Sequence, residues 1–247
     1  MTLTVAIGGL GAIGLALARA LDPKEGRGVD GLKLIAVSAR DKDRARANVA
    51  GFAAPPEVVE LADLAGADIV VEAAPAAVFE QIAVPALTAG RIFIPSSVGA
   101  LLGLDAVRAA AEGEVSSVTI ESRKHPRGWV GAPYLVRHNI DVAAFNAPTL
   151  IFEGNAYDAA AGFPANVNVA AALALAGIGP ERTTVRLWAD PGVDRNIHTI
   201  RVEAAAARLT MTVENVPSES NPRTGKLTPL SVLACLRGLV STLKVGS

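Results

Sequence analysis

Six residues near the start of the chain, Gly9-Leu10-Gly11-Ala12-Ile13-Gly14, have the spacing G-x-G-x-x-G. A turn of this kind can hold a pyrophosphate. The first glycine permits a tight turn and the second lets the backbone approach the phosphates. The third lets the following helix pack on the preceding strand. The N–H groups at the helix start, around Ala12 and Ile13, then meet the anion at the positive end of the helix dipole. The next point of chemistry is Ser38-Ala39-Arg40, where an acidic residue would accept from a ribose 2′-hydroxyl. Arg40 favours a 2′-phosphate instead, hence NADP or use of both NAD and NADP; as a plain solvated residue it would favour neither. In the second half three polar segments interrupt an apolar chain: one holds Asn166 and Asn168, one holds Asp190, Arg195, Asn196 and His198, and one runs from Glu214 to Pro222. Histidine ionises near neutral pH, so His198 is a candidate for moving protons. A structural histidine hydrogen-bonded at a strand edge is the other reading. No His, Cys or carboxylate pair has metal-ligand spacing, so no metal site is expected.

These residues need elements to position them. Leu3–Ile7, Leu32–Val37, Ile69–Ala73 and Arg91–Pro95 are short apolar runs, and Ile13–Leu21, Asp41–Val49 and Pro75–Gly90 have helical spacing between them. Apolar strands alternating with helices give a parallel sheet covered on both faces. The glycine turn follows the first strand and opens the first helix, the context of a Rossmann domain. Beyond about Asp105 the pattern changes. Val115–Ser122, Thr183–Trp188, Thr199–Glu203 and Thr210–Val216 read as strands, and Asn166–Ala176 as an Ala-rich helix ended by Gly177. The fold class expected is α/β: a Rossmann domain over 1–106, then an α+β domain over 107–226 on an open mixed sheet, with antiparallel pairing. A C-terminal helix within 227–247 is expected to return to the Rossmann domain.

Composition narrows the function. The chain has 247 residues, 51% hydrophobic and 19% charged, with a net charge of -1. That balance offers no electrostatic footprint for nucleic acid or an anionic membrane. No apolar run has the length of a membrane helix, and the N-terminus lacks the pattern of a signal peptide. The one cysteine, Cys235, is read as a buried structural thiol, consistent with a reducing cytoplasm.

The motifs carry a family resemblance. GGLGAIG at 8–14, VEAAP at 71–75, GALLGLDA at 99–106, ESRKHP at 121–126, FPANVNVAAALALAGIGPERTTV at 163–185, ADPGVDRNIHTI at 189–200 and ENVPSESNPRTGKLTPLS at 214–231 resemble the L-aspartate dehydrogenases. The resemblance implies an architecture similar to dihydrodipicolinate reductase and homoserine dehydrogenase, and a homodimer. It implies a nicotinamide-dependent interconversion of aspartate with iminoaspartate, which hydrolyses to oxaloacetate and ammonia, a reaction that feeds NAD biosynthesis in many bacteria. It makes His198 the catalytic residue and sets Ala74, Ala100 and Asn168 against the cofactor. A dicarboxylate substrate needs cations or a helix N-terminus, so Arg123, Lys124, Asn166 and Asn196 become its candidate ligands. The chain departs from the family pattern at His125-Pro126-Arg127, at Glu203–Ala207 and at Val98-Gly99. Those changes leave open a different imine, amino acid or keto acid on the same scaffold. A nucleotide-binding sensor without catalysis is a further alternative, against which the cluster around His198 stands.

Overall fold

The computed structural model describes residues 2–96, 103–216 and 225–245. It separates into two compact units, one of residues 1–99 with 228–244 and the other essentially of residues 100–227.

In the first unit the chain runs β1 (Leu3–Gly8), α1 (Ala12–Leu21), β2 (Leu32–Ser38), α2 (Lys42–Val49), β3 (Glu57–Val58), β4 (Ile69–Glu72), α3 (Phe79–Thr88) and β5 (Ile92–Pro95). The strands form a parallel sheet in the order β3-β2-β1-β4-β5. β1 and β4 are buried on both faces, which is why they read as unbroken apolar runs. Val5, Ile7, Leu17, Val37, Ile69 and Val71 pack one face, and Ala6, Leu64, Val70, Ile82 and Ala86 the other. The helix expected from Pro75 begins later: Pro75 lies in the extended region, and a short 3-10 turn at Ala76–Val78 precedes α3.

The second unit continues with α4 (Leu104–Ala111), β6 (Val115–Lys124), α5 (Pro133–Arg137), β7 (Thr149–Asn155), α6 (Ala156–Gly162), α7 (Asn168–Ala176), β8 (Thr183–Ala189), β9 (Asn196–Ala204) and β10 (Arg208–Asn215). Its five-stranded sheet has the order β10-β9-β6-β8-β7. β6 and β8 are parallel and the other pairs antiparallel, so the sheet is mixed. β8 alternates buried and half-buried residues throughout, as a strand with one face on a core must. Val118, Ile120, Val185, Leu187, Ile200 and Val202 point to that core, where Trp129, Phe152, Phe163 and Leu173 meet them. Two strand ends extend beyond their apolar cores. β6 reaches Lys124, so Arg123 and Lys124 are strand residues, and β9 starts at Asn196, so His198 sits inside a strand. β7, with Gly154 in it, is a strand that the apolar pattern did not mark.

The C-terminal helix α8 (Leu227–Val240) places Val232 and Leu236 in the core that contains Val5 and Ile7. Arg237 Nη2 donates to Gly28 O at 3.2 Å. Cys235 corrects the expectation of a buried thiol: it is exposed. The helix buries Thr228, Val232 and Leu236, spaced four apart, and Cys235 falls off that stripe.

Candidate active site

The first unit supplies a cradle at the ends of β1 and β4. Gly9 has φ +96°, and a Cβ there would lie 2.6 Å from Ala73 O. A Cβ on Gly14 would lie 1.9 Å from Gly9 O. These two glycines are dictated by the fold of the turn itself. Gly11 differs: a Cβ there would meet nothing within 4 Å. Gly11 is also the N-cap of α1 and makes no side-chain cap hydrogen bond, and the first turn holds no acidic residue. An open space in front of a helix start free of negative charge fits a pyrophosphate. Gly11 and Ala12 are exposed, Ile13 is half-buried and Gly14 is buried beneath them. Ala74 is half-buried, and its N–H donates to Glu72 Oε1 at 2.8 Å. Burial pushes the Glu72 carboxyl above the usual carboxylate range, against the opposing effect of that bond. Glu72 was visible only as an acidic residue ending an otherwise apolar strand.

At the end of β2, Ser38 is buried and its carbonyl accepts from Gly9 N at 2.8 Å. Arg40 is exposed. Asp41 caps α2, its Oδ1 accepting from Arg44 N at 3.0 Å, so the acidic side chain nearest the end of β2 is engaged locally.

The second unit holds a pocket of about 500 Å³ whose walls include Lys124, His125, Arg127, Phe163, Asn166, Asp194, Arg195 and Asn196. β6 brings Lys124 to it. Ser122 and Lys124 share the core-facing side of that strand, two residues apart. Ser122 pairs directly with His198 across the β6–β9 ladder. Their side chains meet, with Ser122 Oγ and His198 Nδ1 2.8 Å apart. His198 is buried, at 4% exposure. Burial and, second, the charge of Lys124 push its pKa down to about 3, so the ring is neutral at physiological pH.

Lys124 Nζ lies 4.9 Å from the centroid of the Trp129 ring. It donates long hydrogen bonds to Asn166 Oδ1 at 3.3 Å and Asn166 O at 3.4 Å. The ion pairs among the described residues do not include Lys124. Burial without a carboxylate partner pushes its pKa down to about 8. Trp129 is itself fixed, its Nε1 donating to Trp188 O at 3.0 Å and its ring edge-on to Phe163 at 5.7 Å.

Arg123 takes the opposite side of β6 and is absent from the pocket walls. Its guanidinium lies 5.0 Å from the Trp188 ring centroid, 2.8 Å from Asp190 Oδ2 and 3.6 Å from Glu121 Oε1. The Arg123 hydrogen bond is the main reason the Asp190 carboxyl sits below the usual carboxylate range. Asp190 Oδ1 also accepts from Gly192 N at 2.8 Å. The pair therefore fixes the turn that delivers Asp194, Arg195 and Asn196 to the pocket. Arg123 shapes the site from behind.

The structure thus brings Lys124, Asn166 and Asn196 together, with His198 adjoining Lys124 through Ser122. Asn168 is exposed, as the first residue of α7. Ala100 and the whole of Pro217–Pro222 lie outside the described residues. His125 lies on the pocket wall and accepts from Arg127 N at 3.3 Å, while His138 lies tilted against Tyr134 with ring centroids 4.2 Å apart. Sequence reading missed Ser122, whose signal was a hydroxyl at the third core-facing position after Val118 and Ile120. Among the described residues no cluster of His, Cys, Asp and Glu is able to hold a metal ion.

Comparison with known proteins decides the family. Residues 105–239 match the family described as Aspartate dehydrogenase, C-terminal, and residues 9–121 match Homoserine dehydrogenase, NAD binding domain. A protein of Bordetella bronchiseptica named L-aspartate dehydrogenase 3 is 49% identical over 99% of this chain and 98% of its own. The chain belongs to the aspartate dehydrogenase family. The L-aspartate dehydrogenase of Bradyrhizobium diazoefficiens is 46% identical, across 99% of this chain and 94% of its own. The crystal structure of aspartate dehydrogenase from Thermotoga maritima superposes with a TM-score of 0.68 at 25% identity, covering 100% of both chains. This member of the aspartate dehydrogenase family is an amino-acid dehydrogenase, and its first unit is a nicotinamide-cofactor domain.

Proposed function

We propose that the protein interconverts L-aspartate with iminoaspartate, and hence with oxaloacetate and ammonia. The observation that carries this reading is the half-buried, desolvated Lys124 ammonium, which has no carboxylate partner among the described residues and faces a pocket edged by two amide side chains. A desolvated cation without an ionic partner favours an anion. A small dicarboxylate supplies one, with Asn166 and Asn196 able to donate to its oxygens. The full-length relatives carry the corresponding name.

The cofactor, NAD or NADP, would lie with its pyrophosphate against Gly9, Gly11, Ala12, Ile13 and Gly14, near Ala74, and would accept or return the hydride of Cα. Asn168 and Ala100 are further contacts that the family resemblance suggests. Arg40, exposed just past the end of β2 and followed by an Asp41 that is engaged in capping α2, supports NADP or use of both cofactors. His198 is the catalytic residue for the hydrolytic half of the reaction. Ser122 engages Nδ1 and leaves Nε2 to hydrogen-bond the water that adds to the imine carbon, a role that a neutral imidazole fills.

The test is to mix the protein with oxaloacetate and ammonium, once with NADH and once with NADPH, and to follow nicotinamide absorbance. Consumption that requires both co-substrates is expected, at least as fast with NADPH as with NADH. Binding of cofactor with no consumption in either mixture would reject aspartate as the substrate.

A further inference from the structure

We propose that Lys124 is a second catalytic residue, the group that takes the proton from the substrate's α-ammonium, while His198 stays a neutral hydrogen-bonding group; this rests on the dehydrogenase reading above. A hydride can leave Cα only when the attached nitrogen has a lone pair to form the C=N bond. The α-ammonium of the amino acid must therefore first give up a proton inside the pocket. The lone pair of a neutral Lys124 Nζ forms the new N–H bond as the substrate's N–H bond breaks. A bound oxidised nicotinamide would supply the acceptor for the Cα hydride, and the nitrogen lone pair freed by Lys124 would close the C=N bond. Water adds to that carbon and ammonia leaves.

The groups facing Lys124 leave it as the acceptor. His198, from β9, already has Nδ1 engaged by Ser122, and the charge of Lys124 opposes a second charge there. The two side chains thus hold one proton between them. His125 Nδ1 accepts from the turn that follows β6. Arg127 and Arg195 are permanently charged and accept nothing. Asp194, the carboxylate on the described pocket wall, is exposed. Asp190 is committed to Arg123. The contacts that Lys124 makes are to neutral partners, Asn166 and Trp129, at long range. Such contacts hold the side chain in place without fixing its proton. Burial brings its titration to about pH 8, where the charged and neutral forms are both populated.

The inference is tested by measuring kcat and KM for L-aspartate oxidation against pH, with cofactor affinity measured in parallel. Wild-type kcat/KM is expected to rise with pH through a limb near pH 8. Lys124→Met should lower kcat by about 10²–10⁴-fold and abolish that limb, with cofactor affinity unchanged. Added primary amines should restore part of its rate, more so the more basic the amine. Lys124→Arg keeps the charge but cannot release a proton, so it should preserve KM within a few fold and remain as slow as Lys124→Met. An active Lys124→Arg enzyme, or a Lys124→Met enzyme altered in KM alone, would leave Lys124 with only the anion-binding role given to it above and overturn the proposal. An inactive wild type that binds cofactor would instead bring down the functional reading and this inference with it.

Discussion

At the scale of single residues the site is defined by two ionisable groups that burial has pushed toward neutrality. His198 has a direct consequence for stability. Its pKa is about 6.5 in the unfolded chain and about 3 in the folded one. Between those values the unfolded state binds a proton that the folded state refuses, so stability falls as pH falls from about 6.5 toward 3. The slope from this one group is on the order of 1 kcal/mol per pH unit. His198→Asn should flatten the acid limb of stability against pH, measured by denaturant unfolding at pH 4 and pH 7, relative to wild type. Equal slopes for the two proteins would mean that the ring is hydrated or already charged in the fold. The residues that the candidate site brings together were largely legible as candidates in the sequence. Lys124, Asn166, Asn196 and His198 stand out as polar residues in an apolar chain. Which of two adjacent cations enters the pocket was not legible, because one residue of register decides the face of a strand. Arg123 and Lys124 look equivalent until β6 is seen to carry them in opposite directions.

At the scale of elements, the glycine turn divides into positions required by folding and one required by the ligand. Gly9 and Gly14 are pressed against backbone atoms, and Gly9 also needs its positive φ. Alanine at either should destabilise the first unit by about 1–3 kcal/mol. Gly11 faces open space with φ -79°, a value any residue adopts. Gly11→Ala should leave Tm within a few degrees of wild type and weaken cofactor binding by at least about tenfold, as expected where a Cβ blocks close approach to a pyrophosphate. Cofactor titration by nicotinamide fluorescence, beside a thermal melt, separates the two effects. Unchanged affinity in Gly11→Ala would place the phosphates elsewhere. The parallel sheet was legible because β1, β2, β4 and β5 are apolar runs separated by helical spacing. β3, with two residues, is too short to mark a strand, and β7, which carries Glu153 and Gly154, lacks the alternation, so neither was legible. The start of β9 was hidden by its polar residues Asn196 and His198, which its pairing with β6 and β10 holds in extended form.

At the scale of the whole molecule, each unit holds a distinct candidate feature: a glycine cradle suited to a dinucleotide in the first, and in the second a pocket walled in part by the half-buried Lys124, with the buried His198 next to it across the β6–β9 ladder. Fold class was legible because the period of the apolar pattern changes between the two halves. Cys235 was misread because α8 is apolar over more of its surface than the stripe it buries, so composition overstated burial. What pattern and resemblance leave undecided is the shape of the substrate, since His125, Pro126 and Arg127 stand where the family pattern differs and two of them line the pocket. The measurement that tests the central claim most directly is kcat/KM for L-aspartate beside L-asparagine, L-alanine and L-glutamate, with the preferred cofactor saturating. L-Aspartate is expected to exceed each of the others by at least about 100-fold, the order expected when a desolvated charge is left without its partner. L-Asparagine or L-alanine turned over as well as L-aspartate would show that the pocket does not read a second carboxylate, and would contradict the account.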